Sequence, residues 1–134
     1  MAYQFDFDST NRILRGRFAQ EVNDEEVIDY YRTAAFLGGS LRPPAAITDL
    51  SSATVSVSAQ TIEKLAKLPP AMPKPSRPRF IVAPSDHSYG LARMFQIAGQ
   101  ATRPNLHVTR STEEMWDALG EAQQEFGPVP DPVQ

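Results

Sequence analysis

The chain has 134 residues, 41% of them hydrophobic and 22% charged, with a formal net charge of -3 and no cysteine. That is enough for one globular domain with its own core, and it excludes disulfides, thiolate catalysis and cysteine-ligated zinc or iron–sulfur centres. The mild acidity gives a polyphosphate nothing to bind, so no nucleic-acid partner is expected.

The opening stretch MAYQFDFDSTNR lacks the basic-then-apolar run of a signal peptide, and no stretch reaches the roughly 20 apolar residues of a membrane span. A cytoplasmic protein without a membrane span is the expectation. Tyr3, Phe5 and Phe7 alternate with Gln4, Asp6 and Asp8, the period of a strand with one dry face. Asp8-Ser9-Thr10-Asn11 turns the chain, and Ile13, Leu14 and Phe18 with Arg12, Arg15 and Arg17 make the second arm of a hairpin. Asn23, with Glu26 three residues on, has the form of a capping box opening a helix, and Asp24, Glu25 and Glu26 suit its dipole. Val27, Ile28, Tyr31, Ala34 and Ala35 are its buried stripe, and Gly38-Gly39 is its expected end.

Ala45, Ala46, Ile47 and Leu50 read as a third strand, stopping at Asp49 or soon after. LSSATVSVSAQ follows as a serine-rich crossing, Ser58 caps a short helix that turns Ile62, Leu65 and Ala66 inward, and Pro69-Pro70 stops it. Residues 69–78, PPAMPKPSRP, hold five prolines and predict an exposed PPII-like connector. Phe80 to Ala83 form a fourth strand closed by Pro84. A helix from Asp86 to Gly99 places Leu91, Met94, Phe95 and Ala98 on one face. Leu106 and Val108 alternate with His107 and Thr109 in a fifth strand, and Ser111 with Glu114 opens a last helix that buries Met115, Ala118, Leu119 and Ala122. Residues 1–126 are thus read as a single domain and 127–134, GPVPDPVQ, as a flexible tail. The order is β-β-α-β-α-β-α-β-α, an α/β domain with a mainly parallel five-stranded sheet and an antiparallel strand from the N-terminal hairpin.

That order, with ITDLSSATVSVSAQTIEKLA after the third strand, resembles the anti-sigma-factor antagonist family, the STAS or SpoIIAA-like fold. FIVAPSDHSYGLARMFQ and VTRSTEEMWDALG are similar to stand-alone bacterial members of the same fold. In that family a strand ending in Asp-Leu-Ser leads to a loop reading roughly Asp-Ser-Ser-Gly, whose second serine is phosphorylated to switch binding of a partner kinase. Asp49-Leu50-Ser51 matches the first pattern. The second falls on Val57, Ser58, Ala59 and Gln60, so Ala59 stands where the phosphorylated serine would be. The resemblance implies a regulatory module acting through a protein partner at the segment from Asp49 to Gln60, with Asp49, Ser51, Ser52 and Ser58 as its interaction residues and no phosphoryl switch at Ala59.

Chemistry finds little support. Ser85, Asp86 and His87 are adjacent, whereas a hydrolytic triad is assembled from separate segments; the first two suit a helix N-cap. All three also stand at the carboxyl edge of a strand, where open parallel sheets bind ligands. Asp49 has no second carboxylate for a metal or a water, and His87 and His107 are too few for a metal site. Neither catalytic residues nor a metal or cofactor is expected. Arg12, Arg15, Arg17, Arg77 and Arg79 would form a basic patch if the hairpin lay near the proline segment, and otherwise a solvated face. Gly90, inside a helix, suggests close helix–sheet approach.

Two functions remain: a protein-binding regulatory module, and a small-molecule or lipid binder using the strand carboxyl edge and the apolar loop around Met72. An apolar cavity would favour the ligand, and a flat exposed apolar patch the partner. Helices gathered on one face of the sheet would leave the other to be covered, which makes a homodimer an expectation.

Overall fold

The computed structural model describes residues 3–71, 77–121 and 125–130. They form β1 (Tyr3–Asp8), β2 (Ile13–Val22), α1 (Asp24–Leu41), β3 (Ala45–Val55), α2 (Ala59–Lys67), β4 (Arg79–Val82), α3 (Asp86–Ala98), β5 (Leu106–Thr109) and α4 (Thr112–Leu119), the expected order. The strands lie side by side in chain order, β1 antiparallel to β2 and the others parallel. Because every crossover steps the same way, right-handed connections put α1, α2 and α3 on one face. There Phe18, Val22, Tyr30, Val57 and Ile62 form a core flanked by Leu91 and Phe95 of α3. Opposite, Met115 of α4 sits with Ile13, Ala45, Ile47, Phe80 and Val82, and Trp116, Leu119 and Phe126 close that cluster.

Helix starts follow local chemistry. Asn23, Ser58, Ser85 and Ser111 each accept the amide three residues on, from Glu26, Thr61, Ser88 and Glu114. Asp8 organises the hairpin turn by accepting the amides of Thr10 and Asn11 at 2.9 and 3.1 Å.

Several boundaries and faces differ from expectation. α1 runs through Gly38-Gly39 and ends where Arg42 turns left-handed at φ 48°, its amide bonding the Gly38 carbonyl at 3.0 Å. Pro43 and Pro44 follow and cannot extend a helix. β3 continues six residues past Asp49 to Val55 because β2 is long enough to pair with it as far as Val22↔Val55. In α3, Ser88 and Ala92 are buried with Leu91 and Phe95 partly so, whereas Met94 and Ala98 are exposed. The buried face is therefore rotated about one residue from the one expected, with the small side chains of Ser88 and Ala92 turned inward. Ala118 of α4 is exposed and Ala122 lies outside the described residues, so Met115, Trp116 and Leu119 make that helix's contact. Residues 72–76 of the proline segment, Met72 included, also lie outside the described residues; Pro69, Pro70 and Pro78 are in neither helix nor strand. Gly127, the first residue of the expected tail, exchanges both backbone hydrogen bonds with Phe7 at 2.9 Å, satisfying an otherwise open edge of β1. Residues 131–134 lie outside the described residues.

The arginines do not gather into a patch. Arg15 and Arg17 both pair with Asp6, at 2.8 and 2.9 Å, and Arg15 lies 3.8 Å above the Phe126 ring. Arg12 donates to the Leu41 carbonyl, Arg77 to those of Arg42 and Pro43, and Arg79 is buried. Ion pairs thus occupy the hairpin side of the sheet.

Gly90 does not serve close approach: a Cβ there would meet nothing within 4 Å. With no packing reason to keep glycine, Gly90→Ala should stabilise the fold by about 0.5–1 kcal/mol, read as a raised urea midpoint at unchanged slope.

Candidate functional site

A cavity of about 190 Å³ lies between the sheet and the layer of α1, α2 and α3. Phe18, Val22, Val55, Val57, Ile62 and Leu91 supply its apolar walls, and Arg79, Arg103, Tyr31, Tyr30, Thr48 and Ser88 its polar points. The strand register orders these residues. Leu14, Ala46, Arg79 and Leu106 stand level at the amino end of the parallel strands, and Val22 and Val55 stand level at the far end of β2 and β3. Eight residues of β2 separate the two levels, roughly 26 Å at the usual rise per residue.

Tyr30 stands at the centre of the aromatic wall. Its ring stacks on Phe5 at 4.9 Å and leans on Phe18 at 4.5 Å, and its hydroxyl lies 2.7 Å from Thr48 Oγ1. Burial pushes its pKa above the ordinary tyrosine value, so it is a neutral hydrogen-bonding group. Gly16 makes room for it, since a Cβ there would fall 2.1 Å from the hydroxyl oxygen. Glycine in a strand interior signals this kind of close approach.

At the amino end are two buried arginines. Arg103 donates through Nη1 to the Ala66 carbonyl at 2.8 Å and through Nη2 to those of Leu65 and Leu68 at 3.2 and 3.0 Å. Helix α2 offers the Ala66 and Leu68 carbonyls no amide of its own, whereas the Leu65 carbonyl also accepts the Leu68 amide at 3.2 Å. The Arg103 guanidinium lies 4.9 Å from the Phe95 ring centre. Arg79 differs. It is 8% exposed, and its Nε and Nη2 are buried with no hydrogen-bond partner among the described residues. Burial and then repulsion from Arg103 pull its pKa below the usual arginine value, with Tyr31 opposing. An arginine nonetheless keeps its proton.

The residues singled out in the sequence lie elsewhere. Asp49 Oδ1 accepts the Ser51 amide at 2.9 Å, where the register between β2 and β3 slips by one residue. Asp49 therefore satisfies a backbone group freed by a bulge inside β3 and does not end the strand. Ser51 and Ser52 are exposed residues of β3, not of a loop. Ser58 caps α2, and both its amide and its hydroxyl donate to Asp24, at 2.7 and 3.0 Å. The amide bond is the main cause that holds the Asp24 carboxyl below its usual pKa. Replacing Ser58 by alanine should cost on the order of 1 kcal/mol in urea denaturation at neutral pH. Ser85 caps α3, Asp86 pairs with Arg110 at 2.7 Å, and His87 is exposed on the same turn. This group stands at the strand carboxyl edge, opposite the buried arginines. Among the described residues, no cluster of His, Cys, Asp and Glu could hold a metal ion, and no helix is long and apolar enough to cross a membrane.

Arg79, Arg103 and Tyr30 were not legible as site residues. One signal did exist for Arg79, which alternates with Ile81 in a short apolar strand and so shares its covered face. Arg103 reaches the carbonyls of α2 from the loop after α3, and nothing local announces that contact.

The strand order, the antiparallel entry and the helix layering define a SpoIIAA-like, or STAS-like, α/β fold. No family model and no curated protein matches the chain. Among solved structures it is similar to the Bacillus cell fate determinant SpoIIAA in the phosphorylated form, at 14% identity and a TM-score of 0.55 over 88% of this chain and 99% of that one. It is likewise similar to the anti-sigma factor antagonist SpoIIAA in its unphosphorylated form, at 12% identity and a TM-score of 0.56 over 91% of this chain and all of that one. At these identities the likeness is one of fold.

Proposed function

We propose that the protein is a non-enzymatic, cytoplasmic binding module of the SpoIIAA-like type whose ligand is an apolar small molecule held between the sheet and α1–α3. The observation that carries this reading is the cavity itself. Its walls are mostly apolar, with a few placed polar groups, the usual make-up of a small-molecule site. Water needs two to four polar partners each, and such walls offer few. The ligand sits inside the layered core and not at the carboxyl edge marked by Ser85, Asp86 and His87. A neutral apolar dye, Nile red, should bind saturably at one per chain and shift its emission to the blue. Ala92→Phe, which fills the cavity from α3, should abolish this while leaving the fold intact by circular dichroism. Absence of saturable binding to the native chain would reject the reading.

A protein partner is the second reading, supported by the fold of the SpoIIAA structures and by Met94 and Ile97, exposed three residues apart on α3 at 36% and 62%. In this reading Asp49, Ser51, Ser52 and Ser58 face the partner, and a second copy of the chain is one such partner, checked by sedimentation at high micromolar concentration. A phosphoryl switch gains no support from the geometry. Ala59 is the first residue of α2 and has no hydroxyl, and a phosphate on Ser58 would be set against the Asp24 carboxylate that this hydroxyl now meets. Stoichiometric phosphate on Ser58 from the native cell would overturn that conclusion.

A further inference from the structure

The cavity has one feature that an apolar ligand alone would not use, the free donor edge of Arg79. Nε–H and one Nη2–H of a guanidinium are parallel donors whose spacing matches the two oxygens of a carboxylate. In this structure both atoms are buried and without a hydrogen-bond partner among the described residues, on a side chain that lines the cavity. A buried, unsatisfied cation is costly to maintain, so an anion at that edge would find a site already desolvated. The neighbouring cation cannot share the task in full, because both terminal nitrogens of Arg103 are engaged by the carbonyls of Leu65, Ala66 and Leu68. Among the described residues, no carboxylate forms an ion pair with either arginine.

We propose that the cavity takes a carboxylate amphiphile, whose single negative head group pairs with Nε and Nη2 of Arg79 at the amino end of β4. Its apolar body extends along the sheet toward Val22 and Val55. One free guanidinium edge suits a monoanion better than a doubly charged phosphate. The roughly 26 Å between the two levels of the lining suits an extended chain better than a compact ring system. The whole protein carries a net charge of -3, so long-range attraction does not favour an anion, and any preference must arise at the arginine. This inference rests on the cavity reading above.

Isothermal titration and Nile red displacement with dodecanoate, dodecanol and dodecylammonium, all below their micellar concentrations, test it. The acid should bind the native chain at least roughly tenfold more tightly than the alcohol or the amine, the difference expected of a hydrogen-bonded charge pair. Arg79→Leu should lose that advantage and keep the alcohol's affinity. Should that variant fail to fold, Arg79→Lys, which retains the charge but not the fork, should reduce the advantage. If acid and alcohol bind the native chain alike, or if the preference survives Arg79→Leu, the head-group assignment is overturned and the cavity reading stands. If neither amphiphile binds, both fall.

Discussion

Replacing Arg103 by methionine should destabilise the fold by about 3 kcal/mol. The guanidinium serves three carbonyls at the end of α2, and the residue is 3% exposed. Methionine fills similar space but donates nothing, which leaves the Ala66 and Leu68 carbonyls to be solvated by opening the helix end, while that of Leu65 keeps the Leu68 amide. Two effects run the other way. The substitution removes the repulsion between Arg103 and Arg79, and it spares the burial of a charge. Both are smaller than the loss of several charge-assisted hydrogen bonds, because breaking one side of a satisfied buried ion site leaves its partners exposed to the full desolvation penalty. Urea denaturation gives the answer directly. A loss below about 1 kcal/mol would mean that water reaches these carbonyls unaided, and that Arg103 is not what joins α2 to the loop after α3.

Gly16→Ala is the second. The new methyl would stand 2.1, 2.5 and 2.6 Å from Oη, Cε1 and Cζ of Tyr30. A tyrosine tip usually yields, but this ring is held by Phe5, Phe18 and Tyr3 and its hydroxyl by Thr48. Either β2 or α1 must move. Overpacking of this kind costs typically 1–3 kcal/mol, and displacing the hydroxyl from Thr48 adds about 1 more. The expected total is about 3 kcal/mol. A double-mutant cycle with Tyr30→Leu isolates the clash: the glycine substitution should cost clearly less once the ring is absent. Equal costs in both backgrounds would place the strain elsewhere.

These two positions mark where the sequence stops being informative. Helix starts at Asn23, Ser58, Ser85 and Ser111 were readable because each cap bonds an amide three residues away, a contact made before any tertiary structure exists. The strands of the hairpin, and β4 and β5, were readable from their apolar content and the Gly, Pro and Asn punctuation around them. The length of β3 was not. Its polar outer residues, Ser51, Ser52 and Thr54, imitate a loop, while Leu50, Ala53 and Val55 pack on the inner core. Nor was the face of α3, where Ser88 and Ala92 are buried and line the cavity while Met94 and Ala98 are exposed.

The chain's own local order therefore determined the number, type and succession of elements, and with them the right-handed layering that makes the fold SpoIIAA-like. Tertiary structure alone decided which charges lie inside. Arg15 and Arg79 are the same residue type in similar strand settings. One finds Asp6 and the face of Phe126, and the other is carried by its register with Ala46 and Leu106 into the space beneath α1 and α2. A side chain's partners are set by what other segments place against it, and no local pattern encodes that. The cavity arises in the same way, because three helices span a twisted sheet without filling the space between them.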